Sequence, residues 1–121
     1  MDIREKFRQR LNAPPSDLRD AAAKFLRIYC SDADSMQETR LHIARVASFN
    51  PRSALEGLAA IEVLLSTPQE AGFLAMLVAM EGNRQLADAS DSGAAAWLHA
   101  LGETIKEILQ SVSARHKAER S

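Results

Sequence analysis

The chain is predicted to be all-α, a single domain folded as a compact bundle of five to six helices, and three observations lead there. Apolar residues recur at spacings of three and four from one end to the other. Each periodic stretch is bounded by helix-capping chemistry and not by the paired turn residues of hairpins. No segment alternates with period two over more than a few residues, and β-branched residues are sparse, so a sheet has no source.

Ile3, Phe7 and Leu11 lie four apart and predict a short helix over residues 2–12, stopped by Pro14-Pro15. Ser16 can then cap a second helix running to Cys30, with Leu18, Ala22, Phe25, Leu26 and Tyr29 along one stripe and Arg19, Asp20, Lys24 and Arg27 on the other face. Ser35 and Glu38 read as a capping box, which starts a third helix carrying Leu41, Ile43, Ala44, Val46 and Ala47. Asn50-Pro51 suits an N-cap followed by a first-turn proline, and opens a fourth helix expected to bury Ala54, Leu58, Ile61 and Leu65.

Thr67-Pro68-Gln69-Glu70 repeats that device and predicts a fifth helix over residues 68–81. Every residue from Ala71 to Met80 is apolar or Gly, so this helix is expected to be the most central. Gly82 can end it. Arg84 to Ser92 is rich in Asp and Ser and forms the one sizeable loop. Trp97, Leu98, Leu101, Ile105, Ile108, Leu109 and Val112 then predict a long helix over residues 92–113, with a frayed tail over 114–121. Short connections favour antiparallel packing in sequence order, and the lack of a repeat motif favours a bundle over stacked pairs.

Composition narrows the function classes. The 121 residues are 46% hydrophobic and 26% charged, enough for one core without staples. Fifteen Lys/Arg against sixteen Asp/Glu give a net charge of -1, with no global field to draw the chain to nucleic acid or anionic lipid. Charge is uneven along the chain: seven bases and four acids make residues 1–30 +3, whereas two bases and six acids make residues 51–92 -4. Cys30 is the only cysteine, which excludes an intramolecular disulfide and fits a reducing compartment. The N-terminus lacks the apolar core of a signal peptide, and no run of about 18 apolar residues exists to span a bilayer. The expected location is the cytoplasm.

No catalytic or cofactor motif emerges. His42, His99 and His116 have no partner at spacing four and stand beside no zinc-like ligand set, so no metal site is expected. There is no phosphate loop, dinucleotide fingerprint or nucleophile elbow. Glu56 with Glu62, and Glu103 with Glu107, read as solvated helix faces. Cys30 has no neighbouring His or Lys within a turn of its helix and reads as packing, while Trp97 suits either the core or a partner contact. Met76 and Met80, four apart, suit core filling or an adaptable groove for another protein.

The segment from Glu81 to Asp91 stands out because its three acids, with Arg84 between them, sit in a loop held by helices at both ends. The pattern Leu77-Val78, Gly82-Asn83, Leu86, Ser90-Asp91, Gly93-Ala94 and Trp97-Leu98 resembles helical immunity proteins of bacterial contact-dependent growth inhibition systems. That resemblance implies a cytoplasmic protein with no enzymatic activity and no cofactor, which occludes a cognate toxin domain such as a nuclease. An acidic middle segment would then complement a basic active cleft, with Glu81, Arg84, Asp88 and Asp91 as the expected partner-binding residues. The expected partner is protein, not nucleic acid or membrane, and the chain is expected to be a monomer or weak homodimer. The alternative is a helical scaffold or regulatory subunit that homo-oligomerises through the near-heptad stripe from Trp97 to Val112.

Overall fold

The computed structural model describes residues 15–120, with side chains over 18–115; the helix expected over residues 2–12 lies outside the described residues. The described residues form five helices and no strand. These are α1 (Pro15–Tyr29), α2 (Met36–Phe49), α3 (Arg52–Ser66), α4 (Phe73–Met76), which passes directly into a π-helical turn (Leu77–Glu81), and α5 (Asp91–Arg120). No described helix is long and apolar enough to cross a membrane.

α1 opens at Pro15, whose fixed φ suits a first turn, one residue before the cap expected at Ser16. Its stripe of Leu18, Ala22, Phe25, Leu26 and Tyr29 is buried, as the period predicts, and Cys30 is buried behind it. At the start of α2 the Ser35 hydroxyl accepts the Glu38 amide at 3.2 Å. The Glu38 carboxylate accepts the amide of Asp34 at 2.8 Å in place of that of Ser35, so the box closes one residue further out. Thr39, Ile43 and Ala47, spaced by four, form the buried line of α2. Leu41 and Phe49 point outward, Phe49 with 87% of its surface exposed.

Asn50 serves two helices: its amide donates to the Val46 carbonyl and closes α2, while its Oδ1 accepts the Arg52 amide at 3.0 Å and opens α3. α3 buries Ala54, Gly57, Ala60, Ile61 and Leu64, with Leu58 and Leu65 only half-buried. Small residues on this face let α1 approach closely. A Cβ on Gly57 would lie 2.6 Å from Cε2 and 2.7 Å from Cγ of Phe25, well inside van der Waals contact. Alongside, the Tyr29 hydroxyl donates to Ser53 Oγ at 2.9 Å.

Three expectations are corrected. Thr67-Pro68-Gln69-Glu70 does not begin a helix: the Thr67 hydroxyl donates to the Val63 carbonyl at 2.6 Å, and Gln69 Nε2 donates to the carbonyls of Leu64 and Thr67. The Thr67 amide also donates to the Val63 carbonyl, so backbone and side chain of Thr67 together close α3, while Gln69 satisfies the Leu64 carbonyl, which Pro68 has no amide to meet. α4 begins only at Phe73, after Gly72 at φ +86°, a left-handed conformation that glycine adopts without a Cβ penalty. Nor is the segment from Ala71 to Met80 central, because only Leu77 and Val78 in it are buried. α5 holds the centre, packing against α2, α3 and α4 with the line Ala94, Leu98, Leu101, Ile105, Ile108 and Val112. Finally, α5 runs to Arg120, beyond the end expected near residue 113, carried past the end of its apolar stripe by the good helix formers Ala114, Arg115, Lys117, Ala118 and Glu119.

Charged side chains on the outside of α5 fix its register. Lys106 bridges Glu62 of α3 and Glu103 at 3.3 Å each, and Arg40 of α2 pairs with Glu107 at 3.0 Å. Exposed pairs of this kind add little to stability.

Candidate protein-binding face

The loop between the π-helical turn and α5 is anchored at each end by polar side chains. Asn83, at φ +51°, donates from Nδ2 to the Ser31 carbonyl at 3.1 Å, and the Arg84 guanidinium reaches into the turn between α1 and α2. There Nη2 lies 3.3 Å from the Ser35 carbonyl, 3.4 Å from Thr39 Oγ1 and 3.5 Å from the Cys30 carbonyl. Arg84 is thus a clasp between the loop and the α1–α2 turn, half-buried and facing inward.

The other end is closed by Asp91. Its carboxylate accepts the Gly72 amide at 2.6 Å and the Ala75 amide at 2.9 Å, so the first residue of α5 caps α4 across the chain. Those two donors hold its carboxyl below the ordinary value of 3.8. Ser90 accepts the Gly93 amide on Oγ and the Ala94 amide on its carbonyl, which starts α5. Gly93 is needed there for space, since a Cβ would lie 2.8 Å from Cβ and Cγ of Asp88.

Of the four residues singled out in the sequence, Arg84 and Asp91 therefore hold the loop from within. Glu81 pairs with Arg27 of α1 at 2.9 Å. Asp88 faces solvent, its carboxylate accepting the hydroxyl and amide of Ser90, and both bonds keep it ionised below the ordinary range. The four bind different parts of the chain and do not form a set of free charges.

Beside these polar groups the face also presents apolar side chains. Met76 and Met80 are 54% and 75% exposed, one helical turn apart. Beside them lies a groove of about 360 Å³ lined by Ala75, Val78, Ala79, Leu86, Ala89 and Ala94, with Arg84 and Gln85 at its polar edge. On the flank, Arg19 of α1 stacks over the Phe73 ring at 4.3 Å and donates to Gln69 at 3.1 Å, tying α4 to the bundle. Spacing flags the methionine pair in the sequence; their outward direction is a tertiary fact with no local signal.

The remaining candidates have ordinary placements. Burial pushes the Cys30 thiol up to about 11, against a hydrogen bond from Thr39 and the charge of Arg84, so the thiol stays protonated near neutral pH. His42 and His99 are exposed, with the His42 ring 4.8 Å from that of Tyr29. Among the described residues no group of three or more His, Cys, Asp or Glu side chains could hold a metal ion. Trp97 is half-buried against the core. Leu98, Leu101 and Ile105 are fully buried within the chain, so the stripe considered as a dimer seam already packs against the chain's own helices.

Comparison of the chain with models of protein families, with curated proteins and with solved structures finds no match.

Proposed function

We propose that this chain is a non-enzymatic protein-binding module whose contact face is the α4 end of the bundle, and that the bound partner is a toxin domain which it blocks. The observation that carries the reading is the exposure of Met76 and Met80 beside an apolar groove on a loop clasped by Arg84 and Asp91. Thioether side chains adapt to a partner surface, and a loop held in advance loses little entropy on binding. Asp88, exposed and ionised, adds negative charge at the rim, which suits a basic cleft. The toxin-inhibitor form of the reading rests on the resemblance between Leu77 and Leu98.

The test is co-expression and purified binding with the toxin domain encoded by the adjacent reading frame. The expected result is a one-to-one complex and survival of the co-expressing cells. Met76→Glu with Met80→Glu should weaken the complex at least about tenfold, since each places a charge in a desolvated contact. A complex that forms with unchanged affinity in that double variant refutes the face. Absence of both complex and rescue refutes the toxin-inhibitor form.

A further inference from the structure

A second surface lies about 27 Å further along α5, at 1.5 Å per residue between Ala94 and Val112, and is independent of the methionine face. Here α2 and the C-terminal half of α5 enclose a groove of about 400 Å³. Its apolar lining comes from Leu41, Ala44, Ile108 and Val112, and its basic groups are Arg40, Arg45 and Arg115, with no acidic residue in the lining. Arg40 is held in place by Glu107 at 3.0 Å, while Arg45 and Arg115 are exposed. Leu41 has 59% of its surface in water, and Phe49, one turn beyond Arg45 on α2, has 87%.

We infer that this groove docks an acidic amphipathic helix of another protein. A groove between two helices takes a third through residues at i, i+3 and i+4. Apolar side chains on one face of such a helix would cover Leu41, and Glu or Asp on its flanks would meet the exposed guanidiniums of Arg45 and Arg115, which pair well with carboxylates. The chain's own residues 1–11 make a poor occupant, because four Lys/Arg against two acids give them the same sign as the groove. A nucleic acid would use the arginines but leave the apolar lining unmatched.

The test uses the full chain and a fluorescein-labelled peptide of about fifteen residues with Leu at helical spacing and Glu elsewhere, beside a scrambled peptide, a Lys-for-Glu peptide and a single-stranded oligonucleotide. The Glu/Leu peptide should bind at least about tenfold more tightly than the other three. Arg45→Glu and Arg115→Glu, both at exposed positions, should each weaken it by about threefold to tenfold with unchanged helicity. Amide shifts on binding should map to α2 and residues 108–115. Equal binding of the scrambled peptide or the oligonucleotide would overturn the inference, as would indifference to both charge reversals or shifts confined to the α4 face. Self-association of the chain that Arg45→Glu removes would overturn it in favour of a second copy.

Discussion

Replacing Gly57 with alanine sets two effects of opposite sign against each other. In the interior of α3 the change favours the helix by about 1 kcal/mol, because alanine loses less backbone freedom than glycine. The new Cβ, however, would lie 2.6 Å from Cε2 of Phe25, a residue only 4% exposed whose ring centroid is 4.6 Å from that of Tyr29 in a tilted contact. Restoring a contact of about 3.5 Å requires the ring or the helix to move by roughly 1 Å in a close-packed core, and overpacking of this kind costs about 1–3 kcal/mol. A cost in the upper half of that range outweighs the helix term, leaving a net loss of about 1–2 kcal/mol. Urea unfolding followed by circular dichroism should show it as a midpoint lowered by roughly 0.5–1 M. In a Phe25→Leu background, where the ring is gone, the same substitution should become neutral or stabilising, a coupling within the range of about 0.5–3 kcal/mol seen for residues in contact. If Gly57→Ala raises the midpoint of the otherwise unchanged protein, the close approach of α1 and α3 through Phe25 and Gly57 is wrong.

The Asp91 cap should show in acid. Its folded value lies below 3.8, so its contribution is present above 3.8 and is lost as pH falls through the lowered value; the melting-temperature gap to Asp91→Asn should be constant near neutrality and close below about pH 4, and a pH-independent gap would refute the cap. Cys30, raised to about 11, should be roughly a thousandth thiolate at pH 8, and burial shields it further, so a disulfide reagent should label it only on unfolding; labelling within seconds in native buffer would contradict its burial. Met76→Glu and Met80→Glu should each leave unfolding stability within about 0.5 kcal/mol, because both positions are already in water; a large loss would mean that they belong to the core.

How far the fold was legible follows from where each signal is local. Leu18, Ala22, Phe25, Leu26 and Tyr29 alternate with charged residues, and that contrast marks which side of α1 is buried. Ala71 to Met80 offers no such contrast: a segment with no polar face cannot report its own orientation, and the chain places Leu77 and Val78 inward and Met76 and Met80 outward. Cap residues are ambiguous in a related way. Thr67 and Gln69 carry both donors and acceptors, and the carbonyls ending α3 lie within their reach, whereas the amides of α4 lie several residues on. Asp91 resolves those amides from the far side of a loop, a partner that no spacing rule along the chain identifies.

The candidate face reverses what composition suggests. Charged residues in a loop between helices read as contacts for a partner, and apolar residues in a helix read as core, yet Arg84 and Asp91 bind the chain's own backbone while Met76 and Met80 meet the water. The reversal has a physical cause. A nine-residue loop over 82–90 that ran free would leave the amides of α4 and the carbonyls of the α1–α2 turn to solvent; Arg84, Asn83 and Asp91 satisfy them, and in doing so fix the loop against the frame. Once the loop is fixed, the π-helical turn after α4 cannot turn its other side inward, because Leu77 and Val78 are already buried there and the turn packs against α1. The methionines are therefore held outward by the same bonds that order the loop, so loosening those bonds should weaken partner binding without touching a contact residue. Asp91→Asn tests this directly: it should lower the affinity of the methionine face through a slower association or a faster dissociation, while Arg45→Glu, in the other groove, leaves that affinity unchanged.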